Sequence, residues 1–290
     1  IYGRLLGGGG VTSFDARATF RDAHTLDVGG QRVTAERIVI ATGGRPHRLD
    51  IPGAGRGLVS DDLFTLKELP KRSVVLGSGY IAVEFATILQ GLGSQVDLVY
   101  RAPLPLRGFD EDIRAAAAEA LAAQGIRLNS DVTPTRIARM GETLLVSQGD
   151  LFLREADAVF FCTGRVPNTA GLGLDKAGVE TTRGGAVVVD DEHRTNVPHI
   201  YAIGDVIDRV NLTPMATAVG HALADTLFGK NPRKASYENV PTAVFMSPPI
   251  GTVGLTEAEA AERGPVDVYV ARFTPMRHTI SKREGRKTLM

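Results

Sequence analysis

The sequence predicts an α/β protein of two related nucleotide-binding units in tandem, followed by a smaller module of strands and a helix. Three observations carry that class. In "SVVLGSGYIAVEFATILQGLGSQVDLVY", Ser73–Tyr100, an apolar strand, a glycine turn, a helix with an apolar face and a second apolar strand follow one another directly. Two apolar strands, "IVIATGG" and "VFFCTGR", end in near-identical Thr-Gly signals, each late in its own unit. Chance recurrence is the alternative, because apolar strands often close on Thr-Gly turns. After "GKNPRKASYENVP" the composition shifts to "TAVFMSPPIGTVGLTEAEAAERG", which reads as strand, turn, strand, helix.

Each element has its own signal. Alternation in "DARATFRDAHTLDVGGQRVTAERIVIATGG" predicts a small antiparallel meander feeding a buried strand, Arg37 to Ala41. "RPHRLDIPGAGRG" is a Pro/Gly-rich connector and "TLKELPKR" a short linker into the next unit. Past Tyr100, an Ala-rich helix is expected over Glu111 to Gln124, with Gly125 as its C-cap candidate. "GIRLNSD" and polar alternating segments then lead to Arg154 and to the buried strand "ADAVFFCTG". The apolar strand "HIYAIGD" ends on Gly204-Asp205, and a helix follows from about Thr213 to Phe228.

Composition narrows the partners. The 290 residues suffice for two domains with proper cores. With 33 basic and 33 acidic residues the formal net charge is 0, so there is no electrostatic case for nucleic acid or a membrane surface. No apolar run approaches the roughly 20 residues of a membrane span, and "IYGRLLGGGGV" does not read as a signal peptide. The single cysteine, Cys162, excludes a disulfide framework and fits a reducing compartment, which predicts a cytoplasmic protein. The chain starts without methionine and stops at "GRKTLM", inside what reads as a strand, so it reads as a piece of a longer protein.

The glycine turn Gly77-Ser78-Gly79-Tyr80-Ile81-Ala82 fits G-x-G-x-x-A. Gly77 permits a tight turn out of the strand, Gly79 lets a pyrophosphate approach the backbone, and Ala82 lets the helix pack close to the sheet. The helix N-terminus offers free N–H groups and a partial positive charge to phosphates. A dinucleotide is therefore expected here; the alternative is a structural strand–helix turn. A unit specific for NAD places a carboxylate at the end of the second strand, where it bonds the ribose hydroxyls and repels a 2′-phosphate. Here that position is Tyr100, and Asp97 lies three residues too early, within the strand. Arg101 and Arg107 follow, two guanidinium groups able to make bidentate bonds to a phosphate. The alternative is a pair of solvated loop arginines. The reading is NADPH.

"GSGYIAVEFA", "YRAPLPLRGFDEDI", "CTGRVPNT", "IYAIGDV", "LTPMA" and "FMSPPIGTVGLTE" together resemble the glutathione reductases, of the flavin-dependent pyridine nucleotide–disulfide oxidoreductases. The resemblance runs through essentially the whole chain. It implies tandem Rossmann-like FAD and NAD(P) domains with a truncated α+β interface domain. The implied division is an FAD-binding part over 1–70, an NADPH-binding domain over 71–194, an FAD-binding return segment over 195–238 and an interface domain over 239–290. It also implies a homodimer, FAD and NADPH as cofactors, glutathione disulfide as substrate and no metal site.

By the same resemblance, Thr42 and Gly43 close around FAD, Asp205 beside Gly204 bonds its ribityl and phosphate region, and the Thr213 backbone meets the flavin ring. Asp205 alone could equally cap a following turn. Tyr80 matches an aromatic gate over the flavin. Glu84 matches a glutamate paired with a lysine beside the flavin, although by its own sequence context it could be an ordinary helix-face residue. Gly164 and Arg165 match a contact loop to NADPH. His221 stands where some members carry an arginine for a glutathione carboxylate; its alternative is a helix-surface histidine.

The resemblance places three further parts outside these residues: a first G-x-G-x-x-G for the FAD pyrophosphate, a redox C-x-x-x-x-C, and a histidine near the C-terminus. Cys162, in an apolar strand, reads as a buried inert thiol. Other readings are a relative acting on a different disulfide or on a metal ion, and a nucleotide-binding module without redox chemistry.

Overall fold

The computed structural model describes residues 2–280 and 288–290. The chain divides into two compact units, one of residues 1–45 and 166–237 and the other of 46–165 and 238–290.

In the first unit the meander forms as an antiparallel sheet of Ala18–Phe20, Thr25–Val28 and Gln31–Thr34. Ile38–Ile40 pairs in parallel with Ile200–Ala202, far along the chain from it. Their side chains meet Phe20, Leu172, Val187 and Val206 in one core. The pairing continues one step, where Ile203 N–H donates to the Ile40 carbonyl at 3.1 Å. It sets the Thr42-Gly43 turn and the Gly204-Asp205 turn at the same end of two neighbouring strands. Helix Thr213–Leu227 follows, burying Met215, Val219, Ala222 and Leu223, a stripe at helical spacing.

The second unit is built on a four-stranded parallel sheet in the order Ala158–Phe161, Arg72–Leu76, Gln95–Val99, Arg127–Asn129. Its two central strands bury apolar residues on both faces, with Asp97 a polar exception. Val75, Leu98 and Phe160 enter one core with helix Tyr80–Gly91, and Val74, Leu76, Val99, Val159 and Phe161 enter a second core on the opposite face. The polar alternating segment forms an antiparallel three-stranded sheet, Arg136–Met140, Thr143–Gln148 and Leu151–Ala156, whose Ile137, Val146 and Ala156 close the second core. The Ala-rich helix spans Glu111–Ala123, and Gly125 follows it at a φ of 85°.

The Pro/Gly-rich connector packs on the second unit: Leu58 N–H donates to the Val159 carbonyl and Phe161 N–H to the Leu58 carbonyl, each at 2.7 Å. Residues 166–194 pack in the first unit, where Leu172, Leu174 and Val187 join its core. Compactness thus divides the chain at 45/46 and 165/166, whereas the motif-based division falls at 70/71 and 194/195.

Beyond residue 238, Thr242–Val244 pairs with Ile250–Thr252, and helix Glu257–Arg263 begins with a capping box between Thr256 and Glu259. The strand start read at 285–290 lies partly outside the described residues; within them Thr288–Leu289 pairs with Arg272–Phe273. Among the described residues no helix is long and apolar enough to cross a membrane.

Candidate functional site

Strand Arg72–Leu76 ends at Gly77, and the helix begins at Tyr80. Gly77 has a φ of 123°, and a Cβ there would lie 2.2 Å from the Cys162 carbonyl oxygen of the neighbouring strand. Only glycine lets the chain leave the sheet so close to that carbonyl. Gly79 caps the helix in an extended conformation, φ −75°, and a Cβ on it would meet nothing within 4 Å. Its α-carbon therefore looks into open space, as a phosphate cradle requires. No side chain caps this helix, which leaves its first turn available to an anion. Ala82, wholly buried, seats the helix on the sheet.

A cavity of about 470 Å³ opens over this turn, at the ends of strands Arg72–Leu76 and Ala158–Phe161, where the strand order reverses. The glycine turn, Tyr80, Ile81, Arg101, Arg107 and Gly164 all border it. Of the residues expected in this unit, Gly77, Gly79, Tyr80, Ile81, Arg101, Arg107 and Gly164 thus gather round one cavity, while Glu84 and Arg165 do not line it. Both Arg101 and Arg107 are exposed.

Tyr100 also borders the cavity, but its ring is 4% exposed and packs into the core. Burial, reinforced by Asp131, raises its hydroxyl pKa, so the phenol is neutral at ordinary pH. Asp97 is bound within the unit: it accepts from Arg127 Nε at 3.1 Å, from Arg154 Nε at 2.5 Å and from Asn129 Nδ2 at 3.2 Å. No carboxylate at the strand end is therefore turned to the cavity by either residue.

The sequence reading missed His47 and Thr163 on the cavity wall. His47 Nδ1 lies 3.3 Å from Thr163 Oγ1, which donates to the His47 carbonyl at 2.9 Å. Their sequence separation of 116 left no local signal. Leu106 was missed too: it has a φ of 56°, is fully buried, and its N–H donates to the Ser78 carbonyl of the glycine turn at 2.7 Å. A leucine in the left-handed region carries no sequence signature.

Glu84 accepts a hydrogen bond from the Phe245 backbone N–H at 2.8 Å, tying the helix to the segment after residue 238. Cys162 is buried, and burial pushes its thiol up to about 12. His221 is exposed on helix Thr213–Leu227, as a helix-surface histidine would be.

In the first unit, Gly43 (φ 68°) and Gly204 (φ 73°) turn the two parallel strands, and Asp205 is the second residue of the short 3-10 helix Gly204–Ile207. The Asn168 N–H donates to the Gly43 carbonyl at 2.9 Å and its Nδ2 to the Thr42 carbonyl at 3.3 Å. Thr213 is exposed at the start of its helix, with proline in the first turn. The turns at Gly43 and Gly204 thus lie at the same end of the strand pair, with Asp205 next to the second. Among the described residues, no group of His, Cys, Asp or Glu is placed to hold a metal ion.

A parallel sheet with a glycine turn at its switch point defines a dinucleotide-binding protein, and comparison with known proteins narrows it. The family model described as pyridine nucleotide-disulphide oxidoreductase matches residues 3–220, and the model of that family's dimerisation domain matches 240–290. The chain belongs to this family. It is 43% identical over 96% of its length to a glutathione reductase of Nostoc sp., covering 64% of that protein. It is 44% identical over 97% of its length to the chloroplastic/mitochondrial glutathione reductase of Pisum sativum, covering 51% of it. Among solved structures, the HOCl-induced flavoprotein disulfide reductase RclA from Escherichia coli superposes with a TM-score of 0.92 at 31% identity, over 99% of this chain and 68% of that one. The chain thus spans about half to two thirds of the curated relatives it matches.

Proposed function

We propose that this chain carries the pyridine-nucleotide site of an NADPH-dependent, FAD-containing reductase of glutathione disulfide. One observation carries the NADPH reading. The cavity over the glycine turn ends at two exposed arginines, Arg101 and Arg107, while the acid of an NAD-specific site is absent from Tyr100 and Asp97 is bound elsewhere. Glutathione disulfide as substrate rests on the glutathione reductases that the chain resembles at 43–44% identity.

The residues fit the roles assigned. Gly77 and Gly79 bring backbone to a pyrophosphate, and the uncapped helix start supplies N–H groups to it. Arg101 and Arg107 hold the 2′-phosphate. Tyr80, at the first helical position, would be the aromatic gate over the flavin, and Gly164 with Arg165 would be a contact loop to NADPH. Thr42, Gly43, Gly204, Asp205 and Thr213 would hold FAD in the first unit, with the Asp205 carboxylate accepting from ribityl hydroxyls. When bound, the flavin supplies two-electron transfer between the nicotinamide and a cysteine pair. That pair is not within these 290 residues, which hold one cysteine.

Steady-state kinetics with both nicotinamide cofactors in a catalytically competent form test the reading. Each charge-assisted bond to the 2′-phosphate contributes roughly 1.5–3 kcal/mol. Replacing both arginines by methionine is therefore expected to raise KM for NADPH on the order of a hundredfold. KM for NADH should barely change. Equal weakening of both cofactors would make the arginines structural. Rates with glutathione disulfide and with Cu(II) as alternative oxidants separate this substrate from the metal-ion reading.

A further inference from the structure

Arg101 and Arg107 sit on a loop, and a loop carries charge to a defined point only if something holds it. The segment 101–110 contains no helix or strand. Arg114, on the first turns of helix Glu111–Ala123, reaches back under it: Nε donates to the Pro105 carbonyl and Nη2 to the Leu104 carbonyl, both at 2.9 Å. The third side of the guanidinium, Nη1, pairs with Glu111 at 2.7 Å. Only 15% of the Arg114 side chain is exposed.

The helix end that carries Arg114 is itself anchored. Asp110 caps it by accepting from the Asp112 N–H at 3.2 Å, and its other oxygen accepts from the Glu257 N–H at 2.8 Å. From above, the Leu106 N–H fixes the loop to the Ser78 carbonyl of the glycine turn. The loop is thus held at three consecutive residues, Leu104, Pro105 and Leu106, between Arg101 and Arg107.

We propose that Arg114 is a positioning residue for 2′-phosphate recognition: by holding two loop carbonyls it places Arg101 and Arg107 to receive the phosphate of a 2′-phosphorylated adenine nucleotide. Arg114 does not itself touch the ligand. A planar fork suits the task, since its N–H groups meet the two carbonyls in fixed directions, whereas a lysine ammonium is a rotatable point donor on a flexible stem. The inference rests on the NADPH reading above. It adds that the preference depends on a residue outside the cavity.

Titration calorimetry of the full chain with 2′,5′-ADP and with 5′-ADP tests it, because the two probes differ only in the 2′-phosphate. The unaltered chain should bind 2′,5′-ADP at least tenfold more tightly. Arg114→Met should reduce that ratio about tenfold by weakening 2′,5′-ADP alone, and Arg114→Lys should recover part of it. If the unaltered chain does not distinguish the probes, the NADPH reading fails first and this proposal falls with it. If it does distinguish them and Arg114→Met keeps the full ratio, or weakens both probes alike, Arg114 is structural and the proposal alone is overturned. Should Arg114→Met not fold, Arg114→Lys decides: a full ratio overturns the proposal, and a reduced one for 2′,5′-ADP alone supports it.

Discussion

Two glycines two residues apart are required for different reasons. At Gly77 a methyl group would lie 2.2 Å from the Cys162 carbonyl at a φ of 123°, so Gly77→Ala should cost the fold roughly 3 kcal/mol or more. At Gly79 the backbone is ordinary and the space open, so Gly79→Ala should melt within a few degrees of the parent while weakening nucleotide binding. Thermal melts paired with 2′,5′-ADP titration check both; a Gly79→Ala chain that binds normally would count against the cradle. Cys162 gives a second test. Its thiol, pushed up to about 12 by burial, should resist a disulfide reagent at pH 8 until denaturant is added. Rapid labelling of the folded chain would contradict that. Tyr100 shows where sequence position misleads. The strand-end position is as counted, but the ring belongs to the core, so Tyr100→Glu would bury a carboxylate and lose stability before offering the ribose an acceptor. The glycine turn and the arginines were legible because their chemistry is written in residue type and spacing. The left-handed Leu106 and the His47–Thr163 pair were not, since nothing local in their sequence specifies the fold around them.

The elements were read well where one signal decides them. Helix Tyr80–Gly91 and the strands either side follow from apolar runs bounded by glycine, and the expected C-cap Gly125 takes its positive φ. Pairings over long separations, such as Ile38–Ile40 with Ile200–Ala202, are not encoded locally; the repeated Thr-Gly ends mark strands that lie in different sheets. One such long-range tie is the Arg72–Asp157 clamp, which joins the start of the first parallel strand to the start of its neighbour. Asp157 accepts from the Arg72 N–H at 2.9 Å and from Nη2 at 2.8 Å. The Arg72 guanidinium holds the carboxyl below its usual value, with burial opposing. A depressed carboxyl pKa stabilises the fold above the unfolded value of about 3.9, and that contribution is lost as pH falls through the folded value. The clamp is a third exposed, so Asp157→Asn should cost no more than about 1 kcal/mol at pH 7. In denaturant melts across pH 2–7 the gap between parent and Asp157→Asn should close as pH falls through the depressed folded pKa, at the acid end. A gap independent of pH would show that packing, not charge, is at work.

At the scale of the molecule, two properties separate what this chain holds from what its proposed activity needs. The first is surface. Past residue 238, Phe245 is 75% exposed, Tyr269 87% and Met276 79%, within the stretch matched by the dimerisation-domain model. Apolar side chains so placed should drive self-association, and sedimentation velocity across micromolar concentrations should show species larger than a monomer. A single monomeric boundary throughout would argue that this stretch is not a self-interface. The second is redox capacity. Thiol–disulfide exchange begins with a thiolate attacking the disulfide, and reduction of glutathione disulfide requires a second thiol to resolve the mixed disulfide. This chain has one cysteine, buried, with a thiol pKa of about 12. At pH 7 that leaves on the order of one thiolate in a hundred thousand molecules, with no partner to complete the exchange. The 290-residue chain supplied with FAD and NADPH is therefore expected to oxidise no more NADPH with glutathione disulfide present than free flavin does, while still binding 2′,5′-ADP. Turnover above the free-flavin rate would mean that these residues contain an electron-accepting group other than a cysteine pair, and would overturn the division of labour proposed for them.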